Sequence, residues 1–308
     1  MPAWPSPIAP TSLSLTLVAD YMSPDEYCQN KAAQSGSSFY YAFLFLPPER
    51  RKAITALYAF CREVDDVVDE TSEASVARMK LVWWRDQVVS LYEGEAQHPV
   101  MKALAPHIAN YDLKADELLA VIDGMEMDLN DVRYETWEDL QKYCWHVASV
   151  VGILSAKIFG QTDPATTDYA QKLGLAFQLT NIIRDIGDDA RRGRVYLPVR
   201  ELETYKVAPE DIFDLKHSPE FEALMAFQTQ RAYGLYKDAM LALPEVDRRA
   251  QRPGLLMAAI YHALLKEIER DKWDVMNQRI SLTPIRKLWL AWKTWVSGGR
   301  GLIKRLSQ

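Results

Sequence analysis

The chain has 308 residues, 48% of them apolar, and a net charge of −6 at neutral pH. That is enough apolar material for one large domain or two small ones, and an acidic balance gives no footing for nucleic-acid binding. Cys28, Cys61 and Cys144 lack metal spacing, the first 23 residues hold no Lys or Arg, and no apolar run is long enough for a bilayer; a cytoplasmic protein with reduced thiols is expected, without a disulfide scaffold, secretory leader or membrane span.

Residues 1 to about 20 are rich in Pro, Ser and Thr and read as a flexible leader. A first helix is predicted from Ser23-Pro24, with Ser as cap and Pro in the first turn, to about Gln34. A small-residue turn at 35–38 leads into Phe39-Tyr40-Tyr41, and Pro47-Pro48 opens the next helix. Three-to-four apolar spacing then predicts helices over about 73–93, 98–110 and 114–131. Thr136 to Asp139 reads as the cap of a long helix running to Phe159 and stopped by Gly160. Further helices are expected over 164–188, 219–243 and 253–277, with an extended exit at Arg194 to Pro198. Period-two alternation and fixed repeats are lacking. The expectation is an all-α fold: one helical bundle over 21–280 around a central cavity, with 281–308 as a tail.

Two of these helices share a construction. In one, Gln178, Asn181, Asp185 and Asp189 fall on one face, beside an apolar stripe of Leu175, Leu179, Ile182 and Ile186. In the other, Tyr58, Arg62, Asp65 and Asp69 lie beside Leu57, Cys61, Val64 and Val68. An acidic run on a helix is ordinarily a solvated face. A carboxylate pair beside a core face is costly unless a cation lies against it, and here the pair occurs twice. Facing each other, the pairs would hold Mg²⁺ and, through it, a diphosphate. Arg62, Arg184 and Arg194 are candidate direct partners for that diphosphate. Small residues at 148, 149 and 152 would let another helix or a flat hydrocarbon approach closely. Tyr40, Tyr41, Tyr58, Tyr143 and Tyr261 are candidates to present their π faces to a carbocation.

From Ser281 to Gln308 there are six basic residues and no acidic one, which leaves the remaining 280 residues at −12 against the chain's −6. The stretch Ile285 to Trp295 is short, basic and rich in Trp. It reads either as an interfacial helix attracted to anionic lipid or as a final helix packed on the body. The first reading is preferred, which makes the protein peripheral on the inner face of a membrane.

Three segments, in order, resemble the squalene and phytoene synthases: Tyr58-Ala-Phe-Cys-Arg-Glu-Val-Asp-Asp-Val-Val-Asp69, Tyr143-Cys-Trp-His-Val-Ala148 and Gln178-Leu-Thr-Asn-Ile-Ile-Arg-Asp-Ile-Gly-Asp-Asp189. The resemblance covers about residues 24–277. It implies an isoprenoid-synthase helical fold, Mg²⁺ on Asp65, Asp69, Asp185 and Asp189 with Asn181 close by, and prenyl diphosphate substrates. It also implies substrate contacts for Ser38, Phe39, Tyr40, Val147, Ala148, Gln178 and Asn181, and catalytic roles for Tyr58, Arg62, Tyr143, Arg184, Arg194 and Tyr261. The segments at 36–41, 45–51 and 123–128 are most similar to bacterial presqualene diphosphate synthases of hopanoid synthesis. The family often carries a basic residue before its Ser-Phe; here it is Ser37, so other arginines must make that contact.

The resemblance therefore implies condensation of two farnesyl diphosphates to presqualene diphosphate, without NADPH, and leaves downstream isoprenoid enzymes as possible partners. Open alternatives are a phytoene synthase acting on two C20 chains and a squalene synthase that goes on to use NADPH. A non-catalytic assembly factor that kept the fold is a rival of another class, but one aspartate pair would be expected to be lost. A head-to-tail prenyl synthase would carry DDxxD motifs rather than DxxxD.

Overall fold

The computed structural model describes residues 22–34, 42–71, 73–130 and 133–307, and among them there are helices and no strands. The order is α1 (Pro24–Gln34), α2 (Pro48–Glu70), α3 (Ala74–Tyr92), α4 (Pro99–Ile108), α5 (Ala115–Asp128), α6 (Trp137–Cys144), a π-helical segment (Trp145–Ser149), α7 (Val150–Phe159) and α8 (Ala165–Arg191). Then follow α9 (Val199–Thr204), α10 (Pro209–Phe213), α11 (Pro219–Ala242), α12 (Arg252–Arg270), α13 (Pro284–Ser297) and α14 (Arg300–Leu306).

The ends form where the local chemistry asks for them. Ser23 Oγ accepts from the Glu26 amide at 3.3 Å, and Glu26 answers with a bond from the Ser23 amide at 2.8 Å. Thr136 and Asp139 repeat the device at the start of α6. Gly160 takes φ +99° and ends α7 in the left-handed conformation.

Helix α8 is the axis of the molecule. It packs on α11, α7, α12 and the π segment. Its apolar stripe is buried: Leu175, Leu179, Ile182 and Ile186 are all at most 9% exposed. At Gly152 and Gly174 two backbones almost touch. A Cβ on Gly152 would lie 2.5 Å from the Ala170 carbonyl oxygen, and one on Gly174 would lie 2.6 Å from that of Ala148. The small residues seen in the sequence therefore serve a helix contact, and Ala148 also faces a cavity.

Two expected boundaries need correction. Helix α8 runs to Arg191 rather than 188. The helix expected over 253–277 ends at Arg270, where Lys272 and Trp273 turn the chain at φ +52° and +53°. Its apolar spacing continues because Val275 and Met276 are buried, but as loop. The Trp273 indole N–H donates to Thr229 Oγ1 at 2.8 Å and pins that turn. The loop then lies on Gly187 of α8, where a Cβ would meet the Met276 carbonyl oxygen at 2.3 Å. The short helices α9 and α10 follow the extended exit and were not anticipated.

The C-terminal segment packs on the body. Ala291, Thr294, Leu302, Ile303 and Leu306 are buried, and Trp295 stacks on Phe45 with ring centroids 5.1 Å apart.

Candidate active site

The two aspartate-bearing helices line one cavity of about 640 Å³. Helix α2 contributes Tyr58, Cys61, Arg62, Asp65 and Asp69, and α8 contributes Gln178, Asn181, Arg184, Asp185 and Asp189. Tyr143, Val147 and Tyr261 complete the wall from α6, the π segment and α12. A second, apolar chamber of about 210 Å³ adjoins it and includes Ala148. The two share Tyr58, Cys61, Val147, Gln178 and Asn181, so a charged room opens into a greasy one. Every candidate residue among those described lines one chamber or both. Ser38, Phe39, Tyr40 and Tyr41 lie outside the described residues.

The carboxylates are held by arginines. Arg62 Nη1 donates to Asp65 at 2.5 Å, and its Nη2 donates to Asp66 at 2.6 Å. Asp66 also receives Lys31 at 2.8 Å, which fixes Arg62 from behind. Asp69 accepts from Arg192 at 2.9 Å and from Arg194 at 3.0 Å. Asp185 accepts from Arg184 Nε at 2.7 Å and from Arg279 at 2.9 Å.

Charge and burial then separate the carboxylates. Burial pushes Asp65 up to about 6, with Asp69 and Asp66 adding to the shift and Arg62 opposing it. Burial and the neighbouring Asp185 push Asp189 up to about 7. Burial works on Asp185 as well, but Arg184 and Arg279 hold it below the ordinary carboxylate range. Asp65 and Asp189, which resist ionising, are the members of this cluster that would gain most from a cation.

Sequence reasoning missed several residues. Asp128 lines the cavity, accepts the Tyr143 and Tyr196 hydroxyls at 2.9 Å each, and is raised by burial to about 6. Its signal was present: Val121, Met125 and Asp128 fall at steps of four and three, another carboxylate on an apolar stripe. Arg192, Tyr196, Arg279 and Lys287 also line the cavity. Arg279 and Lys287 come from beyond α12: Arg279 lies just past the helix expected to 277, and Lys287 lies in the expected tail.

The donor set fits Mg²⁺. Asp65, Asp69, Asp185, Asp189 and Asn181 offer only oxygen, and Asn181 Oδ1 is buried without a hydrogen-bond partner among the described residues. Among those residues no three acidic, His or Cys side chains converge on one ion position. Mg²⁺ ordinarily keeps waters and completes its shell from substrate phosphates, so a full protein cage is not required.

The squalene/phytoene synthase family pattern matches residues 32–286. The chain belongs to that family. It is 36% identical over 288 residues to phytoene synthase 1 of Arabidopsis thaliana, across 91% of this chain and 67% of that one. It is 34% identical over 275 residues to the 15-cis-phytoene synthase of Synechococcus elongatus, across 85% and 89%. Among solved structures, a dehydrosqualene synthase bound to a ligand superposes with a TM-score of 0.80 at 26% identity, over 92% of this chain and 97% of that one. A squalene synthase of Alicyclobacillus acidocaldarius gives 0.71 at 28% identity, over 81% and 94%. Membership makes this chain a prenyltransferase-type isoprenoid synthase with the all-α isoprenoid-synthase fold.

Proposed function

We propose that the protein joins two farnesyl diphosphates head to head, releasing diphosphate and forming presqualene diphosphate. The observation that carries this reading is the junction at Gln178 and Asn181, where a cavity rich in Asp and Arg opens into an apolar chamber. A diphosphate sits in the first and its prenyl tail in the second.

Asp65, Asp69, Asp185, Asp189 and Asn181 would hold Mg²⁺, which supplies charge neutralisation for the departing diphosphate. Arg62, Arg184 and Arg194 do the same directly, in a site preorganised before the charge develops. Loss of diphosphate leaves an allylic cation. The double bond of the second chain attacks it, and loss of a proton closes the cyclopropane. Tyr58, Tyr143 and Tyr261 offer π faces to the cation, while Val147 and Ala148 keep the wall dry so that water does not quench it. Burial, with Asp128 as neighbour, holds the Tyr143 and Tyr196 phenols protonated well above their ordinary value. Neither is a base at neutral pH, which leaves the departing diphosphate as the better proton acceptor. No hydride donor is needed to stop at this product.

The test is a product assay with farnesyl diphosphate and Mg²⁺, with and without NADPH, read by mass spectrometry. Presqualene diphosphate in both supports the reading. Squalene only with NADPH makes the protein a full squalene synthase. A second reading, condensation of two C20 diphosphates, is favoured by the 33–36% identity to several phytoene synthases. Turnover of the C20 substrate alone would select it. Retention of both aspartate pairs argues against a non-catalytic relative.

The same reading places the protein on the inner face of a membrane. Ile285, Leu288, Trp289, Trp292 and Val296 are 44–81% exposed and fall on one face of α13. Lys293, Arg300, Lys304 and Arg305 lie on the same basic segment. Exposed Trp and Leu with flanking cations suit an anionic lipid surface, where greasy substrates and products reside.

A further inference from the structure

We propose that Lys31, which stands outside the cavity, is a positioning residue for Arg62: it balances the two carboxylates behind that arginine and so leaves the guanidinium at the cavity wall for the diphosphate. This rests on the prenyl-diphosphate reading above and deepens it. The cavity wall includes Arg62 and Asp65 but not Lys31, Glu63 or Asp66. Those three form a layer between α1 and α2. Lys31 Nζ lies 2.8 Å from Asp66 Oδ2 and 3.1 Å from Glu63 Oε1. Tyr27, one turn earlier on α1, donates its hydroxyl to the same Glu63 oxygen at 2.7 Å. Asp66 Oδ1 in turn accepts from Arg62 Nη2 at 2.6 Å, and Arg62 Nη1 donates to Asp65 Oδ2 at 2.5 Å. A chain of charged hydrogen bonds therefore runs from α1 to the cavity wall.

The charges decide what Lys31 does. Arg62 is bracketed by two carboxylates, Asp65 at the cavity and Asp66 behind it. Behind it, too, lies Glu63, and Lys31 bridges Glu63 and Asp66. The side chains of Lys31, Glu63 and Asp66 are 15–24% exposed, so water screens this layer less than it screens a surface pair. With Lys31 present, the rear layer carries one net negative charge against the one positive charge of Arg62. Without it, two negative charges face Arg62 from behind. The guanidinium is then drawn toward Asp66 and away from the cavity, where the departing diphosphate needs a cation already in place. Displacing such a group by a fraction of an ångström lowers the rate even though Lys31 itself touches no substrate.

The experiment is a double-mutant cycle on the full chain, built from Lys31→Met, Arg62→Gln and the two together. Two quantities are read with Mg²⁺ present: equilibrium affinity for unreactive C15 and C20 prenyl thiodiphosphates, and kcat/KM with the native diphosphate that is turned over. Lys31→Met alone should weaken affinity about threefold and lower kcat/KM about tenfold. In the Arg62→Gln background the same change should have no further effect, because Lys31 acts through Arg62. Adding Glu63→Gln to Lys31→Met removes the surplus negative charge and should recover most of the loss, which a mere tie between helices would not do. Thermal unfolding checks that each variant folds, and Lys31→Gln takes the place of Lys31→Met in the same cycle if the latter does not. No loss in Lys31→Met, an equal loss with and without Arg62, or no recovery on adding Glu63→Gln overturns the inference and makes Lys31 a structural tie. Absence of thiodiphosphate binding by the unaltered chain overturns it too. Binding without turnover of either native diphosphate defeats the proposed reaction, and the affinity cycle then still decides the role of Lys31.

Discussion

Arg194 Nη1 lies 3.0 Å from Asp69 Oδ1, tying the exit of α8 to the end of α2. The two aspartate helices are thereby clasped across the cavity by a residue that belongs to neither. On the proposed reaction, Arg194 would be a preorganised cation for the departing diphosphate. Arg194→Gln should lower kcat/KM about 100-fold. Both side chains are about a quarter exposed, so unfolding stability should change by no more than about 1 kcal/mol. Steady-state kinetics with thermal unfolding checks the pairing of a large catalytic and a small structural effect.

Asp65→Asn and Asp185→Asn each replace an anionic carboxylate, proposed as a metal ligand, with a neutral amide on opposite walls. Each should lower turnover at saturating Mg²⁺ by about 100-fold or more. Each should also diminish the upward shift in Tm that Mg²⁺ with an unreactive diphosphate gives the unaltered protein, because a ligand bound only by the folded state stabilises it. A full Tm shift in either variant would remove that residue from the site.

The pH dependence follows from Asp189, raised to about 7 by burial and by Asp185. A carboxyl with a raised folded value binds its proton more tightly folded than unfolded, so its contribution to stability is lost as pH rises from about 4 through 7. Without metal, the stability of the unaltered protein relative to Asp189→Asn should fall between about pH 4 and 7 and level off above it. Mg²⁺ affinity should run the other way, weakening as pH drops below about 7 because the proton competes with the ion. Calorimetric titration in buffers of different ionisation enthalpy would detect the released proton.

Gly174 is a packing requirement. Gly174→Ala drives a Cβ to 2.6 Å from the Ala148 carbonyl oxygen and should cost about 1–3 kcal/mol. Gly234 on α11 is the control: a Cβ there meets nothing within 4 Å, and Gly234→Ala should gain about 0.5–1 kcal/mol. Denaturant unfolding distinguishes the two signs.

Paired substitution of Trp289→Glu and Trp292→Glu should abolish flotation with vesicles containing anionic lipid. Both side chains are more than half exposed, so Tm should hold. Removing the whole segment is a poorer test, because it also strips Lys287 and Leu282 from the cavity wall.

Most of the helices were legible because their signals are local. Capping at Ser23, Thr136 and Gly160 acts within four residues, and three-to-four apolar spacing reports directly on which face is buried. The aspartate pairs of the candidate site were legible for the same reason: Asp65 with Asp69, and Asp185 with Asp189, each sit one turn apart on an amphipathic helix. Asp128 carried the same mark, on Val121 and Met125, and was read only as a family signature.

Arg279 and Lys287 were not legible, since nothing local says that the chain turns back after Arg270. Apolar spacing runs on through Val275 and Met276, and only the contact of that loop with Gly187 shows that they bury as loop. The sequence by itself determined the helical fold, the two aspartate-bearing helix faces and the family, because each rests on periodicity or on motifs within one segment. The tertiary structure alone decided that the two faces share a cavity, that Arg194 and Asp69 meet across 125 positions of chain, and that an apolar chamber adjoins that cavity at Gln178 and Asn181. Those are distances between segments, set by how helices pack, and no spacing along one helix encodes them.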